Sequence, residues 1–509
     1  MAYEITVGHA QLTINVGECV LTTETDGQIR QPSDRGLFYR DTRLLSGWTV
    51  EVNGRPWKLL SSAATSHYAA QVVLTNPALP TDDGELPQHS VSLTLSRTLG
   101  LGGLRETLVL RNHNRTAARL VLTAQLRCDF ADIFDVKAGR IVSRGSTASR
   151  WSADEGRLET VHTNGRFRRG ISVCPADGSP KPELRDGALG FIAELAPWGA
   201  WTAELLYQVI DGEQRLDASQ ASFAEQHNSE QARALAEWRS QAMRVRTPCA
   251  PLQHLYDQSL DDLAALRLPM EGTDATQFVP AAGIPWFAAL FGRDSLITAL
   301  QTVAVYPAFA RGALEVLAQY QADDTDDSRD MQPGKIPHEL RRGELSELGL
   351  GPYRPYYGTA DATALYPLLL HEVWRLTGTR NCSKGTSKRR SVACSGSTNT
   401  ATWTATASRS TSAGHPAAPT TRAGGIRATA SRMRTAGMSP PRRRPASCRA
   451  TFTRPGSAWP RSLKRSTSRS GRIASARRPA PSLTASTPCS GTRRSSSTPC
   501  AWTRRNGGS

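Results

Sequence analysis

The sequence predicts a multidomain β + α protein: an antiparallel β-sandwich, then helices arranged as an α/α barrel, then a disordered basic tail. Up to about residue 212, apolar residues alternate with polar ones at period two, which is typical of half-buried strands. From residue 213 the apolar spacing becomes i, i+3, i+4, which indicates helices. After residue 381 few apolar residues remain, and basic residues dominate.

The first 212 residues consist of strand-like runs separated by turns. Val91, Leu93 and Leu95 alternate with serine and threonine, and the same alternation returns at 120–127. Asn53-Gly54 is a dipeptide that favours a tight hairpin turn. We therefore assign residues 1–212 to an antiparallel β-sandwich domain.

Two charged segments interrupt the apolar pattern of this domain. Arg40, Asp41 and Arg43 lie in an otherwise apolar strand, and buried charges must pair. We interpret them as an ion-pair network that holds a hairpin, with a sugar contact as the alternative. In the segment 129–135, DFADIFD, we expect the apolar side chains to point inward and the three carboxylates outward, in a loop at the domain edge.

Helices follow, beginning with a connector. A polar-capped helix is predicted over 229–243, so we assign residues 213–250 to a helical linker. Residues 251–381 contain a leucine stripe that Pro269 ends, and helices separated by long loops. The leucine stripe over 252–266 predicts one helix, and a second follows the stretch 282–295 and ends at about residue 305. A third helix is predicted over 308–320 and a fourth over Asp361–Thr377. Helix pairs with unusual residues in their loops are typical of an α/α barrel.

The stretch 282–295, AGIPWFAALFGRDS, is the strongest candidate for a sugar site. Trp286 and Phe287 offer aromatic faces, and a glycine presents the adjacent Arg293 and Asp294. The C–H faces of a sugar stack on aromatic rings, and its hydroxyls bond to charged groups. The alternative is a helix start whose Arg–Asp pair only ties down a loop.

Two later loops carry further candidates. In PGKIPHELR, residues 333–341, His338 and Glu339 could offer a donor and an acceptor to neighbouring hydroxyls, although such a pair is more often a surface pair. In YYGTADAT, Tyr357 precedes Asp361, which stands where a helix begins and could instead complement the helix dipole.

No metal or cofactor is predicted. The acidic run 323–330 lacks the spacing and the glycine of an EF-hand, and we interpret it as a solvated loop. The four cysteines before residue 381 are widely spaced and form no C-x-x-C pair, which suits a reducing cytosol. The N-terminus lacks a secretory signal pattern, and no apolar run approaches the about 20 residues of a membrane helix. We therefore expect a cytoplasmic protein without membrane contact.

The net charge of +17 is unevenly distributed. Residues 382–509 hold 25 Lys and Arg but no Asp or Glu, so the first 381 residues hold 37 basic and 45 acidic residues, a net charge of −8. The basic character belongs to the tail alone. Nucleic acid is therefore a disfavoured partner for the protein as a whole.

Five ordered segments together resemble the bacterial glycogen-debranching, amylo-α-1,6-glucosidase-like family. They are GLFYRDTRLLSGW, DFADIFD, GIPWFAALFGRDS, PGKIPHELRRGE and YYGTADAT, and they span residues 1 to about 381. The resemblance implies a β-sandwich followed by an (α/α)6 barrel that hydrolyses α-glucosidic bonds with inversion, using a general acid and a general base. It also implies an α-glucan or oligosaccharide as the partner; the oligomeric state stays open. In this family the acid is the Asp of a G-W-x-D-S motif, and the base is a later Glu.

The resemblance assigns eight residues to the binding of the non-reducing sugar and none to catalysis. They are Trp286, Phe287, Arg293, Asp294, His338, Glu339, Tyr357 and Asp361.

The tail departs from the family where the catalytic groups are expected. Leu, Ile, Val and Phe are too scarce in residues 382–509 to form a core, which predicts disorder. A shifted reading frame explains this composition, because suitable third bases let Thr420 to Ala430 encode a string that contains G-W-x-D-S. We hypothesise a frameshift near Asn381 that leaves a partial barrel over 251–381 and no catalytic activity. The alternative is a non-catalytic glucan-binding protein whose basic arm contacts nucleic acid or an acidic surface.

Overall fold

The structure is a computed structural model, and it describes residues 10–81, 84–219, 221–270 and 278–377. The predictions of a disordered tail and of a frameshift concern residues outside these ranges.

Antiparallel strands form the first part of the described chain. A short helix, α1, covers Ile133–Lys137. The strands are β1 Gln11–Val16, β2 Cys19–Glu24, β3 Gly36–Tyr39, β4 Thr42–Leu45, β5 Gly47–Val52, β6 Arg55–Pro56, β7 Lys58–Ser66, β8 Ala69–Thr75, β9 Leu79–Thr81, β10 Gly84–Leu86, β11 Val91–Gly100, β12 Gly103–Asn112, β13 Ala118–Arg127, β14 Ser146–Ser152, β15 Arg157–Asn164, β16 Phe167–Pro175, β17 Glu183–Arg185, β18 Ala188–Leu195, β19 Ala200–Asp211 and β20 Gln214–Arg215.

These strands build a β-sandwich. The largest sheet has the order β14-β15-β16-β19-β12-β11-β8-β7, with β20 on β19, and another has the order β17-β18-β13-β5-β6. Strands β1 to β4 follow one another in a third sheet, and β9 pairs with β10. Leu95, Leu108 and Leu122 come from different strands, are fully buried and belong to one hydrophobic core. The predicted antiparallel sandwich is confirmed.

Helices form the second part of the described chain. They are α2 Glu230–Gln241, α3 Ala250–Ala265, α4 Gly292–Thr302, α5 Pro307–Gln319, α6 Glu344–Glu347 and α7 Asp361–Thr377, with short 3-10 turns at Gln226–Asn228 and Asp327–Arg329. Short strands accompany them: β21 Arg267–Pro269, β22 Phe278–Pro280, β23 Leu290–Phe291 and β24 Glu339–Leu340. Helix α2 begins after Ser229, whose hydroxyl accepts a hydrogen bond from the backbone N–H of Ala232. A helical part after the sandwich is thus confirmed.

Helices α4, α5 and α7 pack around a second core. Leu296, Leu317 and Leu369 are buried at its centre and come one from each helix. A smaller cluster joins α2 and α3, where the indole of Trp238 donates a 3.0 Å hydrogen bond to the carbonyl of Leu260. The helices therefore pack through side chains that the helical spacing places on one face.

The predicted leucine stripes are only partly buried. On α3, Leu252 and Leu255 are 52% and 62% exposed, whereas Leu260 is 8% exposed. On α7, Leu368 is 56% exposed beside the buried Leu369. Leu368 was predicted to point inward with Leu369, but its side chain is exposed, and in the described part of the chain no element covers that face or the exposed face of α3.

Among the described residues, no helix combines the length and the apolar character needed to span a membrane.

Candidate functional site

Backbone hydrogen bonds join the three loops that the sequence singled out. Strand β23 pairs with β24, and the N–H of Gly292 donates to the carbonyl of His338 over 2.9 Å. The N–H of His338 donates to the carbonyl of Tyr356 over 2.7 Å. A Cβ atom on Gly292 would lie 2.0 Å from the carbonyl oxygen of Pro337, so this close approach requires glycine. The loops 282–295, 333–341 and 356–363 thus form one structural unit.

Arg293 lies between two carboxylates at the start of helix α4. Its Nη1 is 3.4 Å from Oδ2 of Asp361, and its Nη2 is 3.7 Å from Oδ2 of Asp294. The three side chains are 36–44% exposed, so they form an accessible charged cluster. Asp361, 68 positions from Arg293 in sequence, thus lies beside the adjacent Arg293 and Asp294.

The carboxylate of Asp361 is held in its ionised form. Burial alone raises its pKa, but hydrogen bonds from the hydroxyl of Thr359 and the N–H of Ala362, together with Arg293, outweigh burial and lower the pKa. Asp361 also stands at the first residue of α7, as the helix-dipole alternative expected. The Asp361 carboxylate therefore accepts hydrogen bonds and also stabilises the start of helix α7.

The two aromatic residues of the first loop lie in different environments. Phe287 is 38% exposed, and its ring contacts Phe291 at 5.7 Å between centroids and the ammonium of Lys137 at 4.5 Å. Trp286 is half-buried and packs against Phe38 and other apolar residues of the sandwich. Phe287 therefore offers surface to a ligand, whereas Trp286 fixes the loop to the sandwich.

His338 and Glu339 do not form a surface pair. The ring of His338 packs edge-on against Phe291 and Tyr356, with centroids 5.8 and 6.1 Å away. Its Nδ1 atom is buried and has no hydrogen-bond partner among the described residues. Glu339 is 8% exposed and accepts a 2.9 Å bond from Nε of Arg341. Nδ1 of His338 is therefore a buried polar atom left without a partner among the described residues, while Glu339 is committed to an internal ion pair.

Tyr357 is the predicted site residue with the smallest exposed fraction. It is 4% exposed, clusters with Ala322 and Met331, and donates its hydroxyl to the carbonyl of Tyr320 over 2.8 Å. The preceding Tyr356 is half-buried instead and donates to Oδ2 of Asp330 over 2.8 Å. The ring of Tyr357 therefore packs inside the loop, where its hydroxyl finds a backbone acceptor, and a role for it in sugar binding stays a prediction.

A buried ion-pair network connects this unit to the sandwich. Asp41 accepts from Nη1 of Arg341 over 2.7 Å and from the N–H of Arg342 over 2.8 Å. Arg341 also donates to Glu339 and to the carbonyl of Trp286. Burial lowers the pKa of Arg341, but Asp41 and Glu339 more than compensate and raise it. Arg40 pairs with Glu18 and Asp211, and Arg43 pairs with Asp129, so the charges of this segment are paired as predicted. The pairs reach other segments of the chain, and through Asp41 they join the sandwich to the loop after β24.

The carboxylates of segment 129–135 point inward, contrary to expectation. Asp132 is 1% exposed and accepts from the N–H groups of Phe134 and Leu345, which cap α1 and fix the loop after β24. Burial raises the pKa of Asp132 to about 7. Asp135 is 8% exposed and pairs with Arg144. These groups are buried because the docked loop covers them and supplies donors.

A second buried contact strengthens this docking. Nε2 of His162, on β15, lies 2.9 Å from Oε1 of Glu344, and the side-chain amide of Asn164 donates to the same oxygen over 3.0 Å. Sequence reasoning missed His162 and Asn164, and it also missed Arg341. Arg341 ends the segment PGKIPHELR, so its position close to His338 was the available signal.

No group of three or more His, Cys, Asp or Glu able to hold a metal ion occurs among the described residues. The acidic run near 323–330 is instead turned into a loop by local bonds, in which Asp326 accepts from Ser328 and Arg329.

The architecture is that of a β-sandwich followed by helices whose loops carry this charged, aromatic unit. Residues 14–206 match the family model described as the N-terminal domain of (some) glycogen debranching enzymes. The match covers most of the sandwich of this chain. The relation to glycogen-debranching enzymes that the motifs predicted is confirmed there.

Several solved structures are similar to the chain. A protein described as a kojibiose phosphorylase from the human microbiome is 9% identical, with a TM-score of 0.44, and the match covers 71% of this chain and 53% of that one. The chain thus spans about half the length of that relative. Galactose mutarotase-like proteins from Clostridium acetobutylicum and Lactobacillus casei are 9% and 8% identical, with TM-scores of 0.22 and 0.23; each match covers 40% of this chain and 96% and 100% of theirs. No curated protein matches the sequence.

Proposed function

We propose that this chain derives from a glycoside hydrolase of the glycogen-debranching, amylo-α-1,6-glucosidase-like type and that it recognises α-glucan. The observation that carries the proposal is the convergence of Arg293, Asp294 and Asp361 in the same loop unit that exposes the ring of Phe287. Charged groups that bind hydroxyls, next to an aromatic face, suit a pyranose ring. The family match of the sandwich supports the same assignment.

The same geometry favours binding over catalysis for these residues. A general acid needs a protonated carboxyl group, whereas the pKa of Asp361 is lowered by its donors and by Arg293. Glu339 is occupied by Arg341. In our proposal the acid and base of inverting hydrolysis belong to sequence that a frameshift near Asn381 replaces, so the 509-residue chain binds glucan without cleaving it.

Arg293→Ala should weaken the binding of maltohexaose about tenfold or more, because it removes a charged donor worth about 1.5–3 kcal/mol. Isothermal titration with the full chain measures this. Arg375→Ala is the matched control, since Arg375 is an exposed arginine paired with Glu372 on α7, away from the site loops. Equal affinities for the Arg293 and Arg375 variants would contradict the proposed sugar site.

The 509-residue chain should release no glucose from glycogen or limit dextrin, whereas a gene restored in frame near codon 381 should encode an active enzyme. Sequencing the junction and assaying both proteins for glucose release measures this. Glucose release by the chain as written would contradict the loss of catalysis. Stop codons soon after the restored frame would instead favour the alternative, a non-catalytic glucan-binding protein with a basic arm.

A further inference from the structure

A cavity of about 870 Å³ lies where turns of the sandwich meet α2, the end of α3 and strand β21. The sandwich contributes Gly17, His67 and Leu101 to its wall, and the helical part contributes Trp238 and Arg267. None of the eight candidate sugar-binding residues lines this cavity. It is therefore a separate place on the molecule, to which the proposed function assigns no role.

Arg267, on β21, is a half-buried cation in the wall of this cavity. Its Nε donates a 3.0 Å hydrogen bond to the carbonyl of Ala264, and its Nη1 donates a 3.4 Å bond to that of Ala234. Its guanidinium carbon lies 5.4 Å from the ring centre of Trp238 and 4.8 Å from that of Phe278. Within the described ranges, no ion pair adds to these carbonyl and ring contacts. The guanidinium is thus held by neutral groups, although charges removed from water generally pair.

Exposed acidic residues line the same cavity. They are Asp217, Glu225, Glu230 and Glu237. Because water and salt screen exposed charges, these carboxylates balance Arg267 only weakly. Burial lowers the pKa of Arg267, and the opposing effects of Tyr306 and Glu237 do not restore it. The guanidinium is therefore short of negative charge, while the carboxylates are free to accept hydrogen bonds from hydroxyl groups.

His67 senses the same charge from the sandwich side of the cavity. Burial and, after it, the charge of Arg267 lower the pKa of His67 to about 4, so its ring is neutral at pH 7. Asp261 and Arg239 act on this ring with opposite signs, and they form an ion pair with each other. An anion bound to Arg267 would remove one cause of the lowered pKa, so the pKa of His67 would rise.

We propose that Arg267 and the surrounding cavity bind a small hydroxylated organic anion, whose phosphate or carboxylate group lies on the guanidinium. Nη2 of Arg267 has no hydrogen-bond partner among the residues that the structure describes, so it is available to an oxyanion. The exposed carboxylates of the cavity accept hydrogen bonds from the hydroxyl groups of the ligand. Because turns of the sandwich and helix α2 line one cavity, the bound anion links the two parts of the chain.

The test is isothermal titration calorimetry of the full chain with glycerol 3-phosphate, glycerate and glycerol. These compounds share a polyol body and carry a phosphate, a carboxylate or no charge. At least one of the anions should bind with a Kd of about 1 mM or tighter, and glycerol should not bind. Tighter binding of glycerol 3-phosphate identifies a phosphate site, and tighter binding of glycerate identifies a carboxylate site. Equal binding of glycerol, or no saturable binding of either anion, would overturn the proposal.

Arg267→Met should weaken the binding of the preferred anion about tenfold or more, because it keeps an unbranched side chain and removes the charged donors. Arg239→Met is the matched control, since Arg239 is an exposed arginine on α2 that already pairs with Asp261. This control should leave the affinity unchanged. Equal affinities of the two variants would contradict the role of Arg267.

The wild-type chain provides a second readout that does not depend on the folding of Arg267→Met. NMR spectra of the histidine-labelled protein should show a higher pKa of His67 when the anion is saturating, and His67→Gln identifies the signal. An unchanged pKa of His67 would place the anion elsewhere and refute the site.

Arg293→Ala separates this proposal from the proposed function. The substitution changes the candidate sugar site and should leave the affinity for the anion unchanged. Loss of anion binding in this variant would mean that the anion occupies the sugar site, and the cavity would then be wrong as its location. Failure of maltohexaose binding with intact anion binding would instead count against the proposed function alone.

Discussion

Asp41→Asn should lower the free energy of unfolding by about 3 kcal/mol, because it removes one partner of a buried ion pair. The side chains of Asp41 and Arg341 are 6% and 3% exposed, and the two residues are 300 positions apart in sequence. Asparagine is used so that the substitution changes only the charge. Alanine would add backbone strain, because Asp41 has a φ of 61°. Urea denaturation followed by tryptophan fluorescence measures the change.

Asp261→Asn is the matched control for this substitution. Its partner, Arg239, is 55% exposed, so this surface pair should contribute less than about 1 kcal/mol. Equal losses in the two variants would mean that the Asp41 pair is worth no more than a surface contact. Asp41→Asn should also weaken glucan binding, because Arg341 fixes the carbonyl of Trp286 within the site loop.

Features set by neighbouring residues could be predicted from the sequence. The helix predicted from Asp361 begins at that residue, because its carboxylate accepts from the N–H of Ala362 and so defines the start locally. The strand β11 follows the alternation of Val91, Leu93 and Leu95, all of which are fully buried. In both cases the signal lies within a few residues of the element it specifies.

Features set by distant contacts could not be predicted in the same way. Asp132 was expected to point outward because its segment is acidic, yet it accepts from Leu345, 213 positions away. Tyr357 and Tyr356 are indistinguishable by residue type, but one hydroxyl reaches the carbonyl of Tyr320 and the other Asp330. A single sequence specifies which residues can pair, and the three-dimensional arrangement decides which of them do.

The contacts between the sandwich and the segment after β24 explain how the sandwich influences the candidate site. Asp41, Asp132 and His162 of the sandwich all bind the segment that follows β24. That segment continues directly from His338, so its position fixes the backbone on which the site is built. The sandwich therefore supports the geometry of the sugar site in addition to its own core.

Glu106→Gln should destabilise the sandwich by about 3–5 kcal/mol, because it leaves a guanidinium buried without its counter-charge. Glu106 is 0% exposed and accepts 2.9 Å bonds from Nε of Arg97 and from the hydroxyl of Tyr207. Arg97 is 2% exposed and lies 4.0 Å from the ring centre of Trp48, deep between the sheets. Urea denaturation gives the loss, and Trp48 provides a local fluorescence signal.

Two further variants decide whether charge is the cause of that loss. Glu204→Gln affects the neighbouring pair with Arg105, whose side chains are 24% and 18% exposed, and should cost about 1 kcal/mol or less. The double variant Arg97→Met/Glu106→Gln removes both buried charges and keeps an acceptor for Tyr207, so it should be more stable than Glu106→Gln alone. A double variant no more stable than the single one would show that lost packing, and not an unpaired charge, sets the cost. The sandwich would then tolerate its buried ion pair because of its shape, since the guanidinium fills space against Trp48 that methionine does not.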